Sequence, residues 1–348
     1  MFLNAGRCSL FLVALLIAAA ASAQQNSAPA QPGNGKIYLD VVVAPKSGPH
    51  VTGLQQQDFT LLDNKVPRPI TSFAEVTGRQ APIEVILVID AVNASHQIVD
   101  NARLQIGQFL RAESGQLAHP MAIAAFTYEG VKIVGNFSRD GNALGAALDR
   151  EDTGLRTVVG GAGATEHWQL SLQALRELIS SVAPHKERKI MIWVSPGWPL
   201  LSGLSTELTS KQEDQIFASI VNLSAQIQQA RVTLYAIDPV GAGENVARIS
   251  NYKEFIKGVS KPGQADVGDL DLPVLAIQSG GLALNLSNDI AGQVQQCIAD
   301  SEPYYEISFD PAAADRPSEY HHLEIEIGKP GLIARTRQGY YAQPSPRH

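Results

Sequence analysis

The run Val85-Ile86-Leu87-Val88-Ile89 leads straight into Asp90, and the polar Asn93 and Ser95 follow. A second apolar run, Arg231 to Ile237, ends in the same way on Asp238. A carboxylate at the end of a buried strand either holds something at that edge or is what is left of such a site. The usual catalytic companions do not accompany these acids in the sequence. No G-x-S-x-G elbow occurs, so α/β-hydrolase chemistry lacks its serine. Neither H-E-x-x-H nor a cysteine pair at zinc spacing occurs, which removes the commonest zinc motifs. Gly161-Ala162-Gly163 starts like a dinucleotide loop, but Glu166 stands where the last glycine belongs. Gly241-Ala242-Gly243 is equally incomplete, and both read as loops. His321 and His322 are neighbours at a strand start; they face opposite sides and do not readily share one metal. Cys297 lies in an apolar periodic segment and reads as core.

The elements around these residues set where they stand. Ile83 to Ile89 is a continuous apolar strand of the kind buried on both faces. Met121 to Phe126, Lys189 to Val194 and Arg231 to Ile237 read alike, and Leu282 to Leu286 is a shorter strand. Val131 to Phe137 reads as a short edge strand. Helical spacing runs through Ile98, Ala102, Ile106 and Phe109, and through Leu170, Leu172, Leu175, Leu178 and Val182. It recurs at Ile216, Ile220, Leu223 and Ile227. Thr165 precedes the second of these helices. Asp140 and Asn288 or Asp289 are in position to cap two further ones. Buried strands alternating with helices predict an α/β fold, a doubly wound and mostly parallel sheet of the Rossmann type. Ligands of such sheets sit at the carboxyl ends of the strands. Asp90, Ser195 and Asp238 all stand there. His167 and Trp168, just after Thr165, lie near the same edge, as does Trp198 on the loop after Pro196-Gly197. Exposed aromatics beside such an edge would anchor a protein partner, although His167 and Trp168 also suit packing at a helix start.

Both ends of the chain are β-rich. Ile37 to Val43, Phe59 to Lys65 and Ile70 to Val76 precede the α/β part; Tyr304 to Phe309, His322 to Ile327 and Ile333 to Arg337 follow it. A few strands on either side would fold poorly alone. The economical expectation is that they pair into one small antiparallel β-sandwich, with the α/β domain inserted. Residues 36–80 and 302–342 form its two parts, 81–301 form the insert, and 343–348 are a tail.

Arg7, the apolar run Leu10 to Ala20 and Ala21-Ser22-Ala23 make a secretory signal peptide over residues 1–23, cleaved near Ala23. Residues 24–35 are a Gln/Pro/Ala/Gly linker. The expected location is periplasmic or secreted. No later segment is apolar enough to span a bilayer, so no membrane span is expected after signal removal. Removing Arg7 takes the formal net charge from −7 to −8. With scattered basic residues, this argues against nucleic acid as a partner.

Several stretches in order resemble the von Willebrand factor A-related proteins of the acidobacterial type. They are Val51-Thr52-Gly53-Leu54 with Asp58-Phe59-Thr60-Leu61, Ile70 to Phe73, VILVIDAVNAS from Val85 to Ser95, Val134 to Asp140, Arg188 to Ser195, and Gly339 to Ala342. The similarity covers about Ile37 to Ala342. It implies a von Willebrand factor A-like domain and a metal-ion-dependent adhesion site at the top of its sheet. That site's usual motif is Asp-x-Ser-x-Ser, with a Thr and an Asp from later loops. Hydroxyls and carboxylates are hard oxygen ligands suited to Mg²⁺. Here Asp90 matches the first Asp, but Val92 and Ala94 replace both serines. Asn93 and Ser95 are displaced by one position, Thr165 matches the Thr, and Ser195-Pro196-Gly197 stands where the later Asp belongs. The site is degenerate. Its residual metal set would be Asp90, Asn93, Ser95 and Thr165.

The function expected is therefore that of a non-enzymatic interaction protein. It would present Trp198, Asp238, His167 and Trp168 beside Asp90 to a protein partner, without a cofactor. One alternative keeps Mg²⁺ or Mn²⁺ on the residual set, with a partner carboxylate completing the shell. Another, an extracytoplasmic hydrolase using Asp90 or Asp238, lacks a nucleophile–base pair.

Overall fold

Antiparallel strands open and close the chain, and a mixed α/β sheet lies between them. The computed structural model describes residues 35–78, 83–151, 163–198, 208–241 and 252–344, with the side chains of Ala164 and Thr165 excepted. The expected signal peptide, most of the linker and the last four residues lie outside the described residues. Strands β1 (Ile37–Pro45), β2 (Phe59–Asp63), β3 (Val66–Arg68) and β4 (Ser72–Val76) come first. The central sheet follows with β5 (Ile83–Asp90), β6 (Gln116–Thr127), β7 (Gly130–Asp140), β8 (Arg188–Val194), β9 (Val232–Ile237) and β10 (Ala283–Leu284). Then come β11 (Tyr304–Phe309), β12 (Glu319–Ile327), β13 (Leu332–Arg335) and β14 (Gly339–Ala342).

The central sheet has the order β10-β9-β8-β5-β6-β7. All neighbours are parallel except the β6/β7 hairpin. Counted within the domain, this is the doubly wound order, which reverses direction between β5 and β8. Every residue of β8 and β9 is buried, because helices cover both faces. Ile86, Val88, Met191 and Trp193 face a cluster built with α3 (Ala164–Val182), α4 (Ser210–Gln229) and α5 (Leu272–Gln278). Val85, Leu87, Ile89, Ile190 and Ile192 face the opposite cluster, built with α1 (His96–Arg111), α2 (Gly141–Arg150) and α6 (Ile290–Asp300). The period-2 alternation of strand side chains thus sorts one apolar run into two cores. Cys297 sits in the second core, fully buried.

Helix starts follow the acids that cap them. Asp140 accepts from the Ala143 amide at 2.9 Å, and Asp289 from the Gly292 amide at 2.8 Å. The structure differs from the sequence expectation in four places. β7 is eleven residues long, because its hairpin with β6 continues from Thr127↔Gly130 to Gln116↔Asp140 through register shifts. Its exposed polar residues hide the strand pattern. β10 is only two residues long. α5 is a seven-residue helix that starts on Asp271 and Pro273, too short to show a period. Thr165 falls inside the first turn of α3, not before it, since Gly163 is the N-cap.

The terminal strands form two four-stranded sheets, β13-β1-β11-β4 and β14-β12-β2-β3. Each draws strands from both ends of the chain; Leu39 pairs with Ile307, and Leu61 with Ile325. Leu39, Val41 and Ile307 of one sheet share an apolar cluster with Leu61, Leu323 and Tyr340 of the other. As period 2 requires, His321 turns in and His322 stays exposed. His321 Nδ1 lies 2.7 Å from Asp63 Oδ1, whose other oxygen accepts from the Tyr340 hydroxyl at 2.8 Å.

Where α2 begins, Gly141 packs on the end of α1, and a Cβ there would overlap the Leu110 carbonyl. Gly141→Ala is expected to destabilise the protein by about 1–3 kcal/mol, the usual cost of overpacking. Urea unfolding monitored by circular dichroism would measure it.

Candidate functional site at the carboxyl edge

Asp90 is the last residue of β5, at the reversal of the sheet, and is 1% exposed. The chain itself saturates its carboxylate. Oδ1 accepts from the Val92 amide at 3.0 Å and the Asn93 amide at 2.9 Å. Oδ2 accepts from Asn93 Nδ2 at 2.8 Å and from Trp193 Nε1 at 3.2 Å. The Ser195 hydroxyl bonds to it as well. Burial pushes the Asp90 carboxyl above its ordinary range, and the bonds from Asn93, Ser195 and Trp193 oppose that shift. The donors match an ionised acid, which is how a buried charge is tolerated.

Asn93 ties this corner to α3. Its Nδ2 also donates to Ser171 Oγ at 2.9 Å, and that hydroxyl donates to the His167 carbonyl at 2.8 Å. Val92 and Ala94, at the two serine positions of the adhesion motif, are 3% and 5% exposed. They point into the two opposite cores. Ser95 is exposed and serves as the N-cap residue of α1, so the structure does not bring it to Asp90. Thr165 lies in the first turn of α3, and its side chain is outside the described residues.

The described members of this set do not fit a Mg²⁺ or Mn²⁺ ion. Octahedral Mg²⁺ wants several oxygens with free lone pairs. Both Asp90 oxygens already accept two bonds each from the protein. Asn93 Oδ1 is buried without a partner; it is a single neutral oxygen. Among the described residues, the group of three side chains close enough to hold a metal ion is Glu84, His185 and Glu187. Glu84 lies near the start of β5 and the other two just before β8, at the far end of the sheet.

The aromatic residues are distributed differently from the expectation. Trp198 is 1% exposed and is corrected from a surface anchor to core. It packs edge-on against Trp193 at 5.6 Å, and Trp193 packs edge-on against Phe126 at 5.8 Å. A loop after Pro196-Gly197 turns inward here because the ring completes the apolar layer under α3 and α5. His167 Nε2 lies 2.7 Å from the Tyr128 hydroxyl, so it braces the β6–β7 turn. Trp168 is half-buried against the same core. Sequence reasoning missed Trp193, Ser171 and Tyr128 as partners. Trp193 shares the face of Val88, its cross-strand partner, but register between strands is not legible from a single run.

Asp238 follows β9 and is half-buried; its Oδ1 accepts from the Val240 amide at 2.9 Å. Beside it, Ser195, Trp198, Tyr252, Asp271 and Asn285 line a hollow of about 50 Å³. That is room for a water or two, not a substrate. The adjoining stretches 199–207 and 242–251 lie outside the described residues. Leu286, just past β10, is 75% exposed.

Nearby, burial pushes the Asp269 carboxyl up to about 7, with the Asp266 amide opposing the shift and the Asp266 charge adding to it. An acid raised in the folded state holds a proton that the unfolded chain has already lost. Its stabilising contribution is full below about pH 4 and is lost as pH rises through about 7. Asp269→Asn is therefore expected to gain stability relative to wild type at pH 8 and little at pH 5, by urea unfolding at both values.

No protein-family model matches the chain, and no curated protein matches it. Solved structures do align. Proximal thread matrix protein 1 of the mussel byssus aligns at 14% identity and TM-score 0.36, over 65% of this chain and 49% of its own length. The chain thus spans about half of that protein. Manganese-loaded TRAP of Plasmodium vivax aligns at 12% identity and TM-score 0.36, over 80% of this chain and 100% of its own. The SpRpn10 VWA domain aligns at 12% and 0.30, over 62% and 95%. The doubly wound α/β fold rests on the strand order and the antiparallel edge strand β7; scores below 0.5 add a likeness to von Willebrand factor A domains and no more.

Proposed function

We propose that this is an exported, non-enzymatic interaction protein of the acidobacterial von Willebrand factor A-related type. It would present the carboxyl edge of its sheet to a protein partner without a metal ion. The observation that carries this reading is the closed hydrogen-bond shell of Asp90, with Val92 and Ala94 turned into the cores. A carboxylate saturated by the loop around it acts as a brace for the edge, not as a ligand. The signal-like first 23 residues support periplasmic or secreted location. The apolar cluster shared by the two terminal sheets supports their reading as a β-sandwich that carries the inserted domain. The edge offers exposed Leu286 and Ser95 with half-buried Asp238, a mixed apolar and polar surface suited to protein contact.

The test is site-specific photocrosslinking in cells, with the photoreactive residue at Leu286 or, as a control on the terminal sheets, at Ile333. The reading expects a discrete crosslinked protein at Leu286, unchanged by a chelator, and none at Ile333. Loss of the Leu286 product on chelation, or its absence, would overturn it. The residual-metal alternative has one observation in its favour, the unpartnered Asn93 Oδ1. Val92→Ser/Ala94→Ser restores the motif's hydroxyls. We expect each hydroxyl to cost about 1–3 kcal/mol by burial in an apolar cluster. No ion-dependent rise in melting temperature should accompany them.

A further inference from the structure

A carboxylate interrupts the apolar run of β5 at its second residue, Glu84. Strand alternation puts it on the face of Ile86 and Val88, the one covered by α3 and α4. Its cross-strand partner is Lys189 of β8. Glu187 stands two residues before Lys189 and so on the same face. His185 comes from the turn between the end of α3 and β8. One ligand atom from each of Glu84, His185 and Glu187 lies within 4.8 Å of the other two. His185 Nδ1 is 2.6 Å from Glu84 Oε2, and the ring packs edge-on against Phe137 at 5.5 Å. The side chains of Glu84 and His185 are 14% and 37% exposed, held in place yet within reach of an ion in solution. Two carboxylates this close repel unless a cation stands between them. Among the described residues, no lysine or arginine forms an ion pair with Glu84 or Glu187. Lys189 feels both charges, but its ammonium donates to the His185 carbonyl, 2.7 Å away.

We propose that Glu84, His185 and Glu187 bind one transition-metal ion of the zinc class. An imidazole nitrogen with two carboxylate oxygens suits Zn²⁺, whereas all-oxygen sets suit Mg²⁺ and Ca²⁺. Ligand atoms around a tetrahedral zinc ion stand about 3.4 Å apart, since each lies about 2.1 Å from the metal. Side chains already within 4.8 Å of one another reach that spacing by small rotations. His185 Nδ1 and Glu84 Oε2 separate by less than about 1 Å as the ion replaces the proton between them. The imidazole proton then sits on Nε2. Three protein ligands leave a fourth position for water. The ion ties the turn after α3 to the central strand β5. Six residues of strand, about 20 Å, separate this site from Asp90, so it is independent of the partner edge.

Titration of the full-length protein with Zn²⁺, followed by calorimetry and by melting temperature, tests this. One Zn²⁺ should bind saturably at sub-millimolar concentration and raise the melting temperature. Millimolar Mg²⁺ or Ca²⁺ should not displace it. Glu187→Gln and His185→Ala should each weaken Zn²⁺ binding by at least about tenfold. Without the ion, Glu187→Gln should melt like the wild type, so that its loss of binding is the loss of a ligand and not of the fold. The absence of saturable Zn²⁺ binding would mean that Glu84 and His185 only tie strand to turn, and would overturn the proposal. So would binding that either variant weakens by less than about tenfold, which would place the ion elsewhere on the chain.

Discussion

Asp90→Ala should destabilise the protein by about 3–5 kcal/mol, with or without divalent ions present. Removing the carboxylate strands the Val92 and Asn93 amides, Asn93 Nδ2, the Trp193 indole and the Ser195 hydroxyl. Each buried donor left unsatisfied costs about 1–3 kcal/mol, though water entering the vacated space would recover part of it. A metal ligand would behave differently, because its loss would cost stability only when the ion is bound. Urea unfolding of wild type and variant, in chelator and in Mg²⁺, separates the two cases. The same difference in both solutions is expected. Asp90→Asn keeps one acceptor oxygen and should lose less.

The second large effect lies at the junction between the sheet and the terminal strands. Arg188, at the start of β8, is 2% exposed. It donates to the Ser301 carbonyl at 2.6 Å, lies over the Tyr304 ring at 4.4 Å, and has Asp40 Oδ2 at 3.2 Å from its Nε. Arg231 adds bonds to Asp40 at 2.8 Å and Glu306 at 2.6 Å. The cluster joins β8 and β9 to β1 and β11. Breaking a buried ion pair from one side typically costs about 3–5 kcal/mol, because the remaining charge is left uncompensated. Arg188→Ala is expected to lose an amount in that range. Asp40 keeps Arg231, so Asp40 and Arg188 should show a coupling smaller than the single-variant loss in a double-mutant cycle. A loss under 1 kcal/mol would show that the junction is held by apolar packing alone.

The central sheet was legible because strands buried on both faces leave continuous apolar runs, and Ile83 to Ile89 is such a run. The helices α1, α3 and α4 were legible from spacing, and the caps Asp140 and Asp289 from residue type and position. His321 and His322 divided between inside and outside as period 2 demands. The hidden parts have physical reasons too. β7 is an edge strand with exposed polar residues, so no alternation marks its eleven residues. Trp198 stands on a loop, where no period says which way a ring turns. The closed shell of Asp90 needed three-dimensional facts: the turn of Asn93 onto the carboxylate, the register that sets Trp193 beside Val88, and Ser171 arriving from α3. A single apolar residue at a ligand position shows that a ligand is lost. Only the fold shows what took its place.

The most direct measurement is ion binding at this corner. The protein would be stripped with chelator and titrated with Mg²⁺, Mn²⁺ and Ca²⁺, recording binding heat and melting temperature, alongside Asp90→Asn. The account expects no saturable binding that depends on Asp90; any transition-ion binding at Glu84, His185 and Glu187 would persist in the variant. Saturable binding at sub-millimolar concentration that vanishes in Asp90→Asn would contradict it and return Asp90 to the role of a metal ligand.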